Sequence, residues 1–189
     1  MGRKQLYTES ELLDVTKRLV LNHGYDGFHL KMLSEHLPGA RSTIYQYYAN
    51  KEEIVAACMK RVISNVYDKV SKVDESDAMG ALQDVLAIYV EESKLHQLLG
   101  DANKINANNS EAAARDLAFV ENAHLDLKAQ LVRLIEQAQQ AGMLRKEFPL
   151  PVLVGTFFHL FNTPNMLEVP PAQWSRLLFD MWVGGARGR

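Results

Sequence analysis

Between Leu30 and Lys51 the chain collects side chains suited to reading a polar, anionic surface. Arg41 offers a planar fork of N–H donors that matches the acceptors on the edge of guanine, and the Gln46 amide both donates and accepts, as adenine requires. Thr43 carries a methyl group that suits thymine and a hydroxyl that suits a phosphate oxygen. Lys51 falls in the first turn of the following helix, where free N–H groups and the helix dipole already favour an anion. Hydroxyl, amide and aromatic groups beside one arginine, with no acid from His36 to Lys51, describe a helix that docks on nucleic acid rather than one that performs acid–base chemistry.

These groups need a scaffold. Leu30, Leu33 and Leu37 predict a helix of about two turns. Pro38-Gly39 ends it, because a proline disfavours helical geometry in the residue before it and glycine tolerates a turn. In the next helix Ile44 and Tyr48 are four apart and face the core, which spreads Arg41, Ser42, Thr43, Tyr45, Gln46 and Tyr47 over the outer surface. Upstream, Thr8 and Glu11 have the spacing of a capping box, with Tyr7 and Leu12 as a hydrophobic staple. The first helix then runs along Leu12, Thr16, Leu19 and Val20 to Gly24, and Tyr25 and Phe28 drop into the same small core. Downstream, Asn50 and Glu53 form a second capping box, and a fourth helix from Lys51 to Ser71 buries Ile54, Cys58, Val62 and Val66.

An acidic linker, Lys72 to Gly80, leads to a helix over Ala81–Leu99 with Leu82, Val85, Leu86, Tyr89, Ser93 and His96 at helical spacing. Asn-rich residues to Asn109 hold at best a short helix. Ser110 caps the longest helix, whose stripe is Leu117, Val120, His124, Leu127, Leu131, Leu134 and Ala138, ending at Gly142. A helix through Val152–Phe161 is apolar nearly all round, and the last helix, opened by Pro170-Pro171, carries Trp174, Leu177, Leu178, Met181 and Trp182. No strand pattern appears. The fold is expected to be all-α with about nine helices, the last two pairing with those of a second copy to bury their apolar faces.

The bulk properties agree with a globular, water-exposed protein. The 189 residues are 47% hydrophobic with a net charge of −2. Residues 1–62 carry +2 and the remainder −4, an asymmetry in the direction of an N-terminal anion site. A single cysteine, Cys58, excludes an intramolecular disulfide and fits a small buried hydrophobe in a cytoplasmic protein. No membrane-length apolar run and no signal-peptide pattern occur. No nucleophile–base pair, carboxylate dyad or Gly-rich phosphate loop is visible, so an enzyme is not expected, nor any cofactor.

The stretch from Thr8 to Met59, above all residues 21–26 (LNHGYD) and 42–52 (STIYQYYANKE), resembles the tetracycline-repressor (TetR) family of transcriptional regulators. The chain departs from that pattern at Pro38-Gly39, at Ser42 in place of a glycine, and at Phe28 where a phosphate-contacting Thr or Ser is common. The resemblance implies a helix-turn-helix DNA-binding domain over residues 1–50 and a helical effector-binding and dimerisation domain over 51–189, with the fourth helix connecting them. It implies that Arg41, Ser42, Thr43, Tyr45 and Gln46 face the major groove while Tyr47 and Lys51 lie on phosphates of double-stranded DNA.

Polar residues on or beside the C-terminal apolar stripes, Tyr89, Ser93, His96, His124, His159 and Asn162, are candidates for lining a small-molecule effector pocket. The three histidines fall on separate helices without ligand spacing, so no metal is expected. The function expected is a homodimeric repressor released from a pseudo-palindromic operator by an effector. The alternative is a DNA-associated interaction, architectural or division-control protein of the same fold without one.

Overall fold

The computed structural model describes residues 6–39, 41–92 and 98–186. Eight α-helices are delimited among them, with no β-strand. They are α1 (Glu9–Gly27), α2 (Leu30–His36), α3 (Arg41–Ile44), α4 (Lys51–Val70), α5 (Ala78–Glu91), α6 (Glu111–Gln140), α7 (Leu150–Leu160) and α8 (Pro171–Ala186), with short 3-10 turns at Ala102–Lys104 and Ala107–Asn109. Two compact units form. One comprises Met1–Ile63 and Lys94–Asn122, the other Ser64–Ser93 and Ala123–Arg189. The first unit reaches beyond residues 1–50 because the chain around residues 98–122 returns to the N-terminal helices through side-chain hydrogen bonds, Tyr25 to Asp101 and Glu53 to Ser110 among them.

In the first unit α1 opens with both halves of its capping box. Thr8 Oγ1 accepts the Glu11 N–H at 3.2 Å, and Glu11 Oε2 accepts the Thr8 N–H at 2.6 Å. The Thr8 N–H and the Thr8 hydroxyl, at 3.0 Å, both donate to Glu11 Oε2 and hold that carboxyl below its ordinary range. Leu12, Thr16, Leu19 and Val20 are all buried, as the stripe requires. Gly24, at φ 68° and ψ 171°, breaks the helix; a further turn carries the chain to Gly27, and the Phe28 N–H closes on the carbonyls of Gly24 and Tyr25. The break leaves the Tyr25 N–H without a helical carbonyl, and Asp101 Oδ2 accepts it at 2.8 Å.

Leu37 ends α2 in extended geometry (φ −123°, ψ 145°) ahead of Pro38, and Gly39 turns the chain at φ 102°. A Cβ at Gly39 would meet only the end of the exposed Leu6 side chain, which can turn aside, so it is the backbone angle that calls for glycine here. The helix expected through Tyr48 is helical only over Arg41–Ile44; shorter turn hydrogen bonds, Gln46 to Thr43 and Tyr47 to Ile44, carry it onward. Ile44 and Tyr48 face inward, and Tyr48 Oη donates to Glu9 Oε1 at 2.6 Å. Asn50 Oδ1 caps α4 by accepting the Glu53 N–H, while Glu53 reaches one residue past the expected partner to the Ala49 N–H, both at 2.8 Å. Along α4, Ile54, Cys58, Val62 and Val66 are buried, and truncating a residue such as Ile54 to alanine costs about 2–5 kcal/mol. Burial pushes the Cys58 thiol up to about 12, which suits a small hydrophobe and not a reactive thiolate.

In the second unit α5 starts at Ala78, three residues earlier than its apolar pattern, because Asp77 accepts the N–H groups of Met79 and Gly80. It packs on α8, which also packs on α7. Aromatic edges join them: Tyr89 meets Phe161 and Phe157 meets Trp182, each with ring centroids 5.2 Å apart. Trp182 Nε1 donates to Thr156 Oγ1 at 3.0 Å. The part of α6 in this unit buries Ala123, Leu127, Leu131, Leu134 and Ala138, whereas His124 is exposed. Its place on the buried stripe is therefore corrected: Ala123 holds it, because the 3.6-residue turn alternates steps of three and four and the step after Val120 is three. Gly142 (φ 75°) closes α6, with the Met143 and Leu144 N–H groups returning to the Ala138 carbonyl.

Candidate nucleic-acid interface

The turn from Pro38 to Gly39 and the inward anchors Ile44 and Tyr48 decide which side chains of α3 and of the turn after it meet solvent. Arg41, Ser42, Tyr45 and Gln46 are exposed, and Thr43 and Tyr47 are half-buried. Arg41 Nη2 donates to Tyr45 Oη at 3.0 Å, and its guanidinium carbon lies 5.6 Å from the centre of that ring. Tyr47 turns toward the start of α1: its hydroxyl donates to the Tyr7 carbonyl at 2.8 Å, and the two rings stack with centroids 5.9 Å apart. Tyr7 and Glu9 thus hold Tyr47 and Tyr48 respectively, and α3, a single turn, is supported by its neighbours more than by its own hydrogen bonds.

Lys51 stands in the first turn of α4, half-buried, with Nζ 4.2 Å from the centre of the Tyr25 ring and 3.5 Å from the Asp26 carbonyl. Partial burial lowers its pKa, opposed by the nearby Glu52 and Asp26 carboxylates. Tyr25 also donates its hydroxyl to Glu52 Oε1 at 3.1 Å, and burial together with that bond pushes the hydroxyl up to about 12.

Some of this environment was beyond sequence reasoning. Lys104 bridges Asp101 at 2.8 Å and Asp26 at 3.4 Å, and with the Tyr25 N–H it holds the Asp101 carboxyl below its ordinary range. Glu53 Oε1 accepts the Ser110 hydroxyl at 2.8 Å, so one carboxylate serves the starts of both α4 and α6. The only sequence signal was that both residues have the chemistry of caps. Phe28, the departure from the family pattern, is fully buried, and the exposed side chain at the N-cap of α2 is His29. A cavity of about 320 Å³ lies beside Asn50, Glu52, Asn106 and Ser110 in this unit.

Four of the effector candidates lie among the described residues. Tyr89 is buried in the second unit, its hydroxyl shifted upward by burial alone. His124, His159 and Asn162 are exposed, Asn162 donating to the Phe158 carbonyl at 3.3 Å. Ser93 and His96 lie outside the described residues. Among the described residues no group of His, Cys, Asp or Glu is arranged to hold a metal, and no helix is long and apolar enough to cross a membrane.

Residues 12–58 match the model of the bacterial regulatory proteins of the tetR family. The HTH-type transcriptional regulators Rv1816 of Mycobacterium tuberculosis and Mb1846 of Mycobacterium bovis are each 26% identical to this chain over 88 residues, covering 46% of it. That region spans 37% of the length of those relatives, little more than a third. The fold is similar to that of the ketosteroid transcriptional regulator KstR2 of Mycobacterium tuberculosis, with a TM-score of 0.79 at 13% identity over 96% of this chain and 95% of that one. It is also similar to AibR, solved in complex with isovaleryl coenzyme A and operator DNA, with a TM-score of 0.72 at 14% identity over 92% and 96% of the two chains. The helix-turn-helix match over residues 12–58 and the similarity to these curated regulators and folds lead to one conclusion: the N-terminal segment of this chain is similar to that of the tetR-family regulatory proteins, and its all-helical fold is similar to that of the solved regulators.

Proposed function

We propose that the chain is a sequence-specific transcriptional repressor that binds a pseudo-palindromic operator as a homodimer and leaves it when a small molecule binds the helical domain over residues 51–189. The observation that carries this reading is the exposed set Arg41 and Ser42 on the second helix of a family-matched helix-turn-helix, with Tyr45 and Gln46 in the turn that continues it. Those groups face a major groove, with Thr43 at its edge and Tyr47 and Lys51 toward the phosphates. Val152 on α7 and Leu177 and Met181 on α8 are large apolar side chains exposed in a single copy, and burying them supports a dimer through these two helices.

Release requires that an effector reach the reading helix. The supporting path is Asp101 and Lys104, which grip Tyr25 and Asp26, which in turn support Lys51. Moving residues 101–104 moves the phosphate anchor. That AibR was solved with both an acyl coenzyme A and operator DNA supports control of this kind, with Tyr89 as a buried pocket candidate in the helical domain and Ser93, His96, His124, His159 and Asn162 as further candidates.

The test is selection of bound fragments from genomic DNA with purified protein. The expected product is a set of inverted half-sites whose centres lie about 34 Å apart, one helical turn. Recovery of unrelated sequences, or of single half-sites only, contradicts the reading.

A further inference from the structure

Arg41 and Tyr45 are four residues apart, both exposed, and joined by a hydrogen bond and by the guanidinium lying over the ring. Neither group is needed by the core, which takes Ile44 and Tyr48 from this segment. An exposed arginine samples many rotamers, and fixing it on a base edge costs side-chain entropy. Here one Nη2 hydrogen is already held by Tyr45 Oη, which narrows that freedom and leaves the other N–H groups of the fork for a second partner. Reading guanine requires two of them in the plane of the base, so the angle of the guanidinium sets whether one base pair is distinguished or merely approached. Gln46, also exposed, has no comparable restraint among the described residues.

We infer that Tyr45 is a positioning residue that aims Arg41, so that the two side chains read one guanine per half-site as a single unit. The inference rests on the DNA-binding function proposed above. A tyrosine acting alone on a phosphate would weaken every sequence equally; a tyrosine acting through Arg41 changes the preference at one base pair and nowhere else.

The experiment uses the full chain and the sites it selects from random duplexes. Affinities are measured for the best site and for its single base-pair variants with the wild type, Tyr45→Phe, Arg41→Ala and the double variant. Tyr45→Phe keeps the exposed ring and removes only the hydroxyl. Arg41→Ala is expected to erase the guanine preference at one position, a loss of about ten-fold or more. Replacing that guanine with 7-deazaguanine should reproduce the loss. Tyr45→Phe is expected to reduce the same preference about three- to ten-fold, to leave the other positions as they were, and to have no further effect once Arg41 is alanine. A uniform loss over all positions, an unchanged preference, or additive effects in the double variant overturns the inference. A wild-type chain that selects no sequence overturns the proposed function itself, a separate and visible failure.

Discussion

Replacing Lys51 with methionine separates the contact its ammonium group makes in the free protein from the phosphate contact proposed for it. In the free protein that group sits 4.2 Å from the centre of the Tyr25 ring and 3.5 Å from the Asp26 carbonyl. Removing a half-exposed cation–π interaction costs about 0.5–1 kcal/mol, and the methionine stem keeps its apolar packing on the ring. Partial burial works in the other direction: it lowers the Lys51 pKa, so removing the charge relieves a desolvation penalty. The net change in stability is within about 1 kcal/mol, and the melting temperature moves by no more than about 4 °C for a chain of this size. Because the folded pKa lies below the unfolded value of 10.5, the folded chain holds fewer protons between the two. Wild-type stability rises with pH across that window, and the variant lacks the rise.

DNA binding responds differently. Taking one phosphate-neutralising cation from each of two heads flattens the dependence of log affinity on log salt by about 1.8. Raising salt four-fold then weakens the variant about twelve-fold less than the wild type. Anisotropy titrations on a selected operator over a salt series read this directly. Parallel salt plots for the two proteins would refute the phosphate role of Lys51 and leave it a partner of Tyr25.

Asp101→Ala strips the Tyr25 N–H of its acceptor and should cost about 1–3 kcal/mol in urea unfolding. The Asp101 pKa is lowered, so its contribution is present above the ordinary carboxylate range and disappears as pH falls through the folded value; wild type and variant should converge in acid. Gly39→Ala forces a side chain into φ 102° and should cost about 1–3 kcal/mol, read in the same assay. Leu177→Arg places a charge in the exposed apolar face of α8. Sedimentation should show monomers with unchanged helical content, and operator affinity should fall about a hundred-fold with the loss of two-headed binding; an intact dimer contradicts the assignment of that face.

What could be read from the sequence was what short-range chemistry dictates. The Thr8–Glu11 box, the Asn50 and Ser110 caps, the breaks at Gly24 and Gly142 and the extended residue before Pro38 each depend on groups within about five residues of one another, where side-chain reach admits few alternatives. The α4 stripe was legible for the same reason, with Ile54, Cys58, Val62 and Val66 all buried. His124 was not, because neighbouring positions on a helix differ by about 100° and an apolar stripe admits either a step of three or a step of four. The grip of Asp101 on Tyr25 joins residues 76 apart, and nothing local distinguishes Asp101 from any other loop acid. For the reading surface the sequence indicated which residues lie outside the core; that Arg41 leans on Tyr45 and that Tyr47 is tied to Tyr7 are facts of rotamers, which spacing does not contain.

The single turn of α3 is held by side chains that face away from the exposed set: Ile44 from within it, Tyr48 from the turn that follows, and Tyr7 and Glu9 from the start of the chain's first helix. Holding and reading are therefore carried by different residues, interleaved along one short stretch. Substitutions at Arg41, Ser42, Tyr45 or Gln46 leave the holding set untouched, so the DNA sequence preference proposed for these residues is free to drift at little cost in stability. An excised segment over residues 38–50, by contrast, would keep every reading group and lose nearly everything that gives them a fixed direction.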